Sequence, residues 1–180
     1  MDAAGLPSGR GYGAPMNTLV NSGSDEIVWI GMGGADARLL MANTGGYGFL
    51  CKLGDLATKT RQGKDFMSVP EGAKALAPAT VGNGSVVAAL SSDSRLLLFP
   101  LDELPTRPNG GVGVQLIALP DGVSLASVCV TDGKNLLVSG VKRIRKTSQL
   151  DQTQLSQYAG KRAQRGRICD VGFRPDRLGV

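Results

Sequence analysis

The side chains able to do chemistry in this 180-residue chain form a restricted set. There is no histidine. That removes Ser-His-Asp and Cys-His nucleophile arrangements and every imidazole metal site. The three cysteines, Cys51, Cys129 and Cys169, lie far apart without a C-x-x-C spacing, which predicts reduced thiols in the cytoplasm. Asp102 and Glu103 are neighbours and point apart in an extended chain, so they make no acid–base pair. No G-x-x-x-x-G-K-[ST] run is present. Gly31, Gly33 and Gly34 follow an apolar run and resemble a dinucleotide-binding turn. The third glycine of that pattern falls at Asp36, an anion facing a pyrophosphate, and Thr44-Gly45-Gly46 cuts off the required helix. This stretch reads as a β-turn. No catalytic residue, metal or cofactor is expected in this chain.

What remains is positive charge on glycine loops. Lys59, Arg61 and Lys64 surround Gly63. Arg107 opens the loop that ends at Gly113. Lys161, Arg162, Arg165 and Arg167 surround Gly166. Lys142, Arg143, Arg145 and Lys146 flank Ile144. Glycine lets backbone approach an anion closely, and an arginine fork binds a phosphate through two parallel hydrogen bonds. Residues 1–140 carry 10 basic and 12 acidic groups, whereas residues 141–180 carry 10 basic and 3 acidic. All the positive excess thus lies in the last 40 residues, the footprint expected for a polyanion partner. The bland alternatives are a solubilising tail and a charged edge strand that blocks aggregation.

The elements that must position these bases are short strands. Ile27–Ile30, Arg38–Ala42, Gly48–Leu53 and Phe66–Val69 read as strands around tight turns, with Trp29 packed between sheets. Ser85–Leu90, Leu96–Phe99, Val114–Leu119 and Leu125–Val130 are nearly continuous apolar runs, which predicts burial on both faces. Asp132-Gly133 has hairpin chemistry between Leu125–Val130 and Asn135–Val138. In an extended Lys142–Lys146 segment, Lys142 and Lys146 share a face with Ile144. Ser148–Tyr158 reads as a short helix or ordered loop. The pattern repeats: Gly13, Gly63, Gly113 and Gly166 lie 50, 50 and 53 residues apart. A period of this size with several short strands per unit indicates blades. One domain spanning residues 1–180 is expected, with units at about 16–70, 71–120 and 121–173.

Three successive landmarks carry a family resemblance: LLMANTGGYGFLCKLGDLATKTRQGK, LLLFPLDELP and GKRAQRGR. From about Leu6 to Phe173 the chain resembles the C-terminal domain of the topoisomerase IV A-subunit (the ParC family), a relative of the gyrase A C-terminal domain. The resemblance implies an all-β fold, a β-pinwheel of four-stranded antiparallel blades that exchange strands, here as an incomplete or open disc. It implies a basic rim that binds and bends duplex DNA without sequence specificity, through the twelve basic residues named above. The gyrase version carries a Q-R-R-G-G-K-G box. The nearest run here, Ala163-Gln164-Arg165-Gly166-Arg167, is degenerate, which resembles topoisomerase IV rather than gyrase.

By the same resemblance, the partners are duplex DNA, the topoisomerase IV B-subunit and the rest of the A-subunit, with no membrane as a primary partner. The location is cytoplasmic and nucleoid-associated. ATP and Mg²⁺ serve the whole enzyme, and the nucleophilic tyrosine belongs to another domain, so Tyr12, Tyr47 and Tyr158 are not catalytic. A protein-interaction propeller with a basic face for an acidic partner is the alternative of a different class.

Overall fold

A computed structural model describes residues 26–60 and 63–180; the predicted loop at Ser8–Pro15, Gly13 and Arg61 lie outside the described residues. The described chain forms eleven strands: β1 (Arg38–Ala42), β2 (Tyr47–Lys52), β3 (Ala79–Thr80), β4 (Val86–Ser91), β5 (Arg95–Pro100), β6 (Val114–Gln115), β7 (Leu125–Thr131), β8 (Asn135–Val141), β9 (Arg145–Asp151), β10 (Arg167–Ile168) and β11 (Arg174–Gly179). They build three antiparallel sheets, in the orders β3-β1-β2-β6, β10-β5-β4-β7 and β11-β8-β9.

Each sheet is centred on a hairpin followed by a short helical turn. β1–β2 leads into a 3-10 turn at Leu53–Leu56, and β4–β5 into one at Leu101–Glu103. β8–β9 leads into helix α1 (Gln152–Ser156), where Asp151 accepts from the Gln154 N–H and Gln154 accepts from the Asp151 N–H. After the turn the chain loops back and lays a two-residue strand on the outer edge of the preceding hairpin. β6 thus pairs with β2, with Gly48 opposite Val114, and β10 pairs with β5, with Leu96 opposite Arg167. The opposite edge of each sheet goes to a strand from further along the chain: β3 beside β1, β7 beside β4 and β11 beside β8. This is an all-β pinwheel in which successive blades exchange strands.

The apolar runs follow from the stacking. On β4, Val87 and Ala89 face a core shared with Leu40, Leu50 and Phe99, while Ala88 and Leu90 face a second core shared with Leu136, Val138 and Leu150. The middle sheet is therefore buried on both sides, which alternating sequence could not satisfy. Burying a leucine or phenylalanine fully contributes about 1.5–3 kcal/mol. Among the described residues the third sheet is covered on one side only, and β8 alternates: Leu136, Val138 and Gly140 are buried, while Leu137 and Val141 are exposed.

Several expected elements differ. Ile27–Ile30 forms no strand; Trp29 packs, half-buried, beside Leu39, Phe49 and Cys51 on the outer face of the first sheet. Phe66–Val69 makes only a parallel bridge, Met67 to Gly111, and Val114–Leu119 shortens to β6. β7 and β8 are joined at Asp132-Gly133 but do not pair: β7 completes the second sheet and β8 begins the third. Turn chemistry is local and does not choose the partner sheet. Lys142–Ile144 is the hairpin turn, not a strand, so the face-sharing expected of Lys142 and Ile144 does not arise.

Candidate nucleic-acid interface

The glycine loops end where the exchanged strands begin. Gly113 (φ +81) directly precedes β6, and Gly166 (φ +73) directly precedes β10. Gly63 has the matching conformation (φ +77) ahead of Lys64-Asp65. A left-handed backbone favours glycine, and two of the three are also crowded. A Cβ on Gly113 would lie 2.5 Å from the Gly48 carbonyl oxygen, and one on Gly166 would lie 2.8 Å from that of Leu96. β6 and β10 thus hold the Gly113 and Gly166 loops at the edges of the first and second sheets, at equivalent positions in the two.

The bases divide by what they touch. Lys59, Arg107, Lys161 and Arg167 are exposed and form no ion pair with a described carboxylate. Lys64 donates to the Asp55 carbonyl and sits 5.0 Å from the centroid of the Phe66 ring. Arg165 is largely exposed, with Nη2 3.9 Å from an Asp93 oxygen. At the third hairpin tip Lys142, Arg143 and Lys146 project into solvent around Ile144 (69% exposed). Arg145 reaches across the sheet to Asp176, with both guanidinium contacts at 3.2–3.3 Å. Exposed pairs of this kind contribute at most about 1 kcal/mol, so a phosphate can compete for Arg145.

Arg162 departs from the sequence expectation. Its Nη1 donates to the Gln115 carbonyl at 2.7 Å, its backbone N–H donates to Glu103 Oε2 at 2.9 Å, and its Nε is buried. It fastens the loop to the end of β6 and cannot also present its fork to a ligand. Arg95, which no sequence motif singled out, has a similar duty: Nε lies 3.3 Å from Asp93, and Nη1 donates to the Gly166 carbonyl at 3.2 Å. The available signal was its place immediately after the Ser92-Asp93-Ser94 turn. Arg174 likewise donates to the Ser92 carbonyl. Arg95 and Arg162 hold the loop that carries Arg165 and Arg167.

Other chemistry is sparse. No group of three or more metal-ligating side chains occurs among the described residues. Burial pushes the Cys51 thiol up to about 11 and that of Cys129 to about 12, and also raises Cys169, so all three are poor nucleophiles. A groove of about 470 Å³ runs where β3, β7 and β11 converge, lined mainly by Trp29, Leu76, Val128 and Val130, with Arg177 its charged member. No described helix is long and apolar enough to cross a membrane.

Against this geometry, a family model described as the DNA gyrase C-terminal domain, beta-propeller, matches residues 37–81 and 86–132, about half the chain. The chain belongs to that family. The matched segments run from β1 to β3 and from β4 to the end of β7. The A-subunit of DNA topoisomerase 4 from Haemophilus influenzae is 35% identical over 165 residues, covering 90% of this chain and 20% of the relative. Its Pseudomonas aeruginosa counterpart is 33% identical over 185 residues, covering 96% and 24%. The chain therefore spans about a quarter or less of these relatives. The solved E. coli ParC C-terminal domain superposes with a TM-score of 0.84 at 29% identity, over 99% of this chain and 75% of that one. A gyrase A C-terminal domain shares the fold at 15% identity and a TM-score of 0.65, over 76% of this chain and 48% of that one.

Proposed function

We propose that this gyrase-family domain is the non-catalytic C-terminal part of a topoisomerase IV A-subunit, and that it binds and bends duplex DNA without reading sequence. The observation that supports this reading is the placement of the Gly113 and Gly166 loops beside the edge strands β6 and β10, with Arg107, Lys161, Arg165 and Arg167 exposed there; Lys59 and Lys64 flank Gly63, which has the same backbone conformation. The basic hairpin tip at Lys142, Arg143, Arg145 and Lys146 extends the same charge. Arg162 is excluded by its inward hydrogen bonds. Bending 20–30 base pairs costs of order 1–6 kcal/mol, so many modest phosphate contacts along an arc suit the task better than one strong site. Nothing among the described residues presents a side-chain set for base edges.

In this reading the domain holds the DNA segment to be transported, biasing the crossings that the enzyme relaxes or unlinks in the nucleoid. The B-subunit and the remainder of the A-subunit are its protein partners, and ATP and Mg²⁺ act elsewhere in the assembly. The test is a fluorescence-anisotropy titration of a duplex at several salt concentrations. With about six phosphates neutralised, log K falls against log salt with a slope near −5. Removing Arg107, Lys161, Arg165 and Arg167 together should shallow that slope by roughly 3 to 4 without lowering thermal stability. A flat salt dependence, or a quadruple variant that binds normally, overturns the proposal.

A further inference from the structure

The third sheet departs from the first two in the chemistry of one face. Counted from the open end, the third pair of each hairpin ladder is Leu40–Leu50, Ala88–Leu98 and Leu137–Gln149. Leu50 and Leu98 are buried, whereas the third hairpin has an amide at that step. Side chains along this face bond one another across the strands. Gln149 Nε2 donates to Asn135 Oδ1 at 3.0 Å, and the Ser139 and Thr147 hydroxyls lie 3.0 Å apart. Nearest the tip stands Arg145, whose Nη1 and Nη2 donate to Asp176 Oδ1 and Oδ2 at 3.2 and 3.3 Å. The polarity of the face is thus written into its residue types.

Asp176 reaches Arg145 through a bulge. β11 pairs Pro175 with Gly140 and Arg177 with Ser139, which leaves Asp176 as the extra residue. A bulge re-aims the inserted side chain, and here the carboxylate meets an arginine two strands away. Among the described residues the carboxylate has no second partner. Asp93 is the contrast. It accepts from the Ser91 hydroxyl and lies 3.3 Å from Arg95 as well as 3.9 Å from Arg165, so it shapes its own turn. Asp176 has no such duty, and an ion pair whose side chains are 55% and 44% exposed holds a fold weakly. Its two-point contact is the one by which a guanidinium fork grips a phosphate. The carboxylate therefore occupies the donors that a phosphate would use, beside a tip where Lys142, Arg143 and Lys146 project into solvent.

We infer that Asp176 is a built-in competitor for DNA: it fills the Arg145 fork in the unbound chain, and a phosphate must displace it. The inference rests on the DNA-binding reading above and adds a restraint to it. Displacement exchanges one two-point anion contact for another, so the fork gains little. The released carboxylate then stays close to the incoming phosphate and repels it. Arg145 therefore adds less to affinity than an uncompensated arginine would. A duplex that is to be transported must also be let go, and an internal anion weakens one contact without removing its base.

The test compares Asp176→Asn with the wild-type chain in anisotropy titrations of a labelled duplex over a range of salt. The amide keeps the shape of the side chain and removes its charge. Binding should tighten about two- to fivefold at low salt, the range that one exposed charge pair supports. The salt slope should steepen by up to about 0.9, one further phosphate neutralised. Asp132→Asn makes the same change of net charge at the other end of the hairpin, roughly 20 Å along the strands from Arg145, and should shift binding by less than about 1.5-fold. Arg145→Gln should weaken binding and make Asp176→Asn silent in its background. The urea midpoint of Asp176→Asn should match wild type; a role confined to tying β11 to β9 would instead lower that midpoint and leave binding unchanged. An Asp176→Asn chain that binds no more tightly than wild type or Asp132→Asn overturns the inference and leaves the DNA-binding reading standing. So does an equal gain in the Arg145→Gln background. If no variant binds duplex, that reading fails and the inference falls with it.

Discussion

Replacing the three loop glycines by alanine, one at a time, separates backbone conformation from strand exchange. Gly63, Gly113 and Gly166 share φ values of +77, +81 and +73, so the conformational cost of an alanine is common to all three, at about 1–2 kcal/mol. Their surroundings differ. At Gly63 the new methyl meets open space. At Gly166 it lies 2.8 Å from the Leu96 oxygen and 3.0 Å from the Leu96 carbonyl carbon. At Gly113 it lies 2.5 Å from the Gly48 oxygen and 3.0 Å from the Phe49 ring. Backbone oxygens cannot rotate away, so the outer strand must retreat and loosen its pairing, at about 1 kcal/mol for each hydrogen bond weakened. The expected destabilisation is about 1 kcal/mol for Gly63→Ala, about 2–3 for Gly166→Ala and about 3 for Gly113→Ala. Urea unfolding followed by far-ultraviolet circular dichroism gives these differences directly. Thermal midpoints should fall by about 2–4 °C per kcal/mol for a chain of this size. Equal losses at all three positions, or the largest loss at Gly63, would refute the placement of β6 and β10 against the preceding hairpins.

Two further outcomes follow from the site. Arg162→Ala should lower stability by about 1–3 kcal/mol, because it strips the Gln115 carbonyl of its donor, while changing DNA affinity little. Arg167→Ala should do the reverse, with stability within about 0.5 kcal/mol of wild type and a salt slope shallower by about 0.9, read by urea unfolding and anisotropy together. The cysteines give a pH-linked check. Burial raises all three thiols, those of Cys51 and Cys129 to about 11 and about 12, so near pH 8 at most about one Cys51 thiol in a thousand is ionised. A thiol-reactive chromophore should label none rapidly in the folded chain and all three after denaturation. Fast labelling of even one native thiol would contradict the packing of these cores.

Much of the blade architecture was legible because it is enforced locally. A backbone that must enter the left-handed region ahead of each exchanged strand requires glycine, so Gly63, Gly113 and Gly166 recur visibly at a near-constant spacing. The double-sided burial of β4 and β5 likewise appears as unbroken apolar runs, since neither face can carry a polar residue. The roles of the bases were less legible. Arg162 and Arg167 sit in the same loop with the same side chain. One is turned inward by the Gln115 carbonyl and one is left outside, and nothing in their spacing distinguishes them. Arg95 was passed over because its partner at Gly166 stands 71 residues away and meets it only in the folded chain.

The amino-acid order alone determined the repeating unit, the all-β class and the positions where charge would gather, because glycine conformation, apolar patterning and composition act over a few residues. Only the tertiary structure decided which sheet each strand joined. Asp132-Gly133 favours a turn whether or not the flanking strands pair, and here β7 pairs with β4 while β8 pairs with β9 and β11. Strand partnership is settled by which hydrogen-bonding edge and which apolar face lie nearby after the blades stack, and those neighbours stand dozens of residues away along the chain.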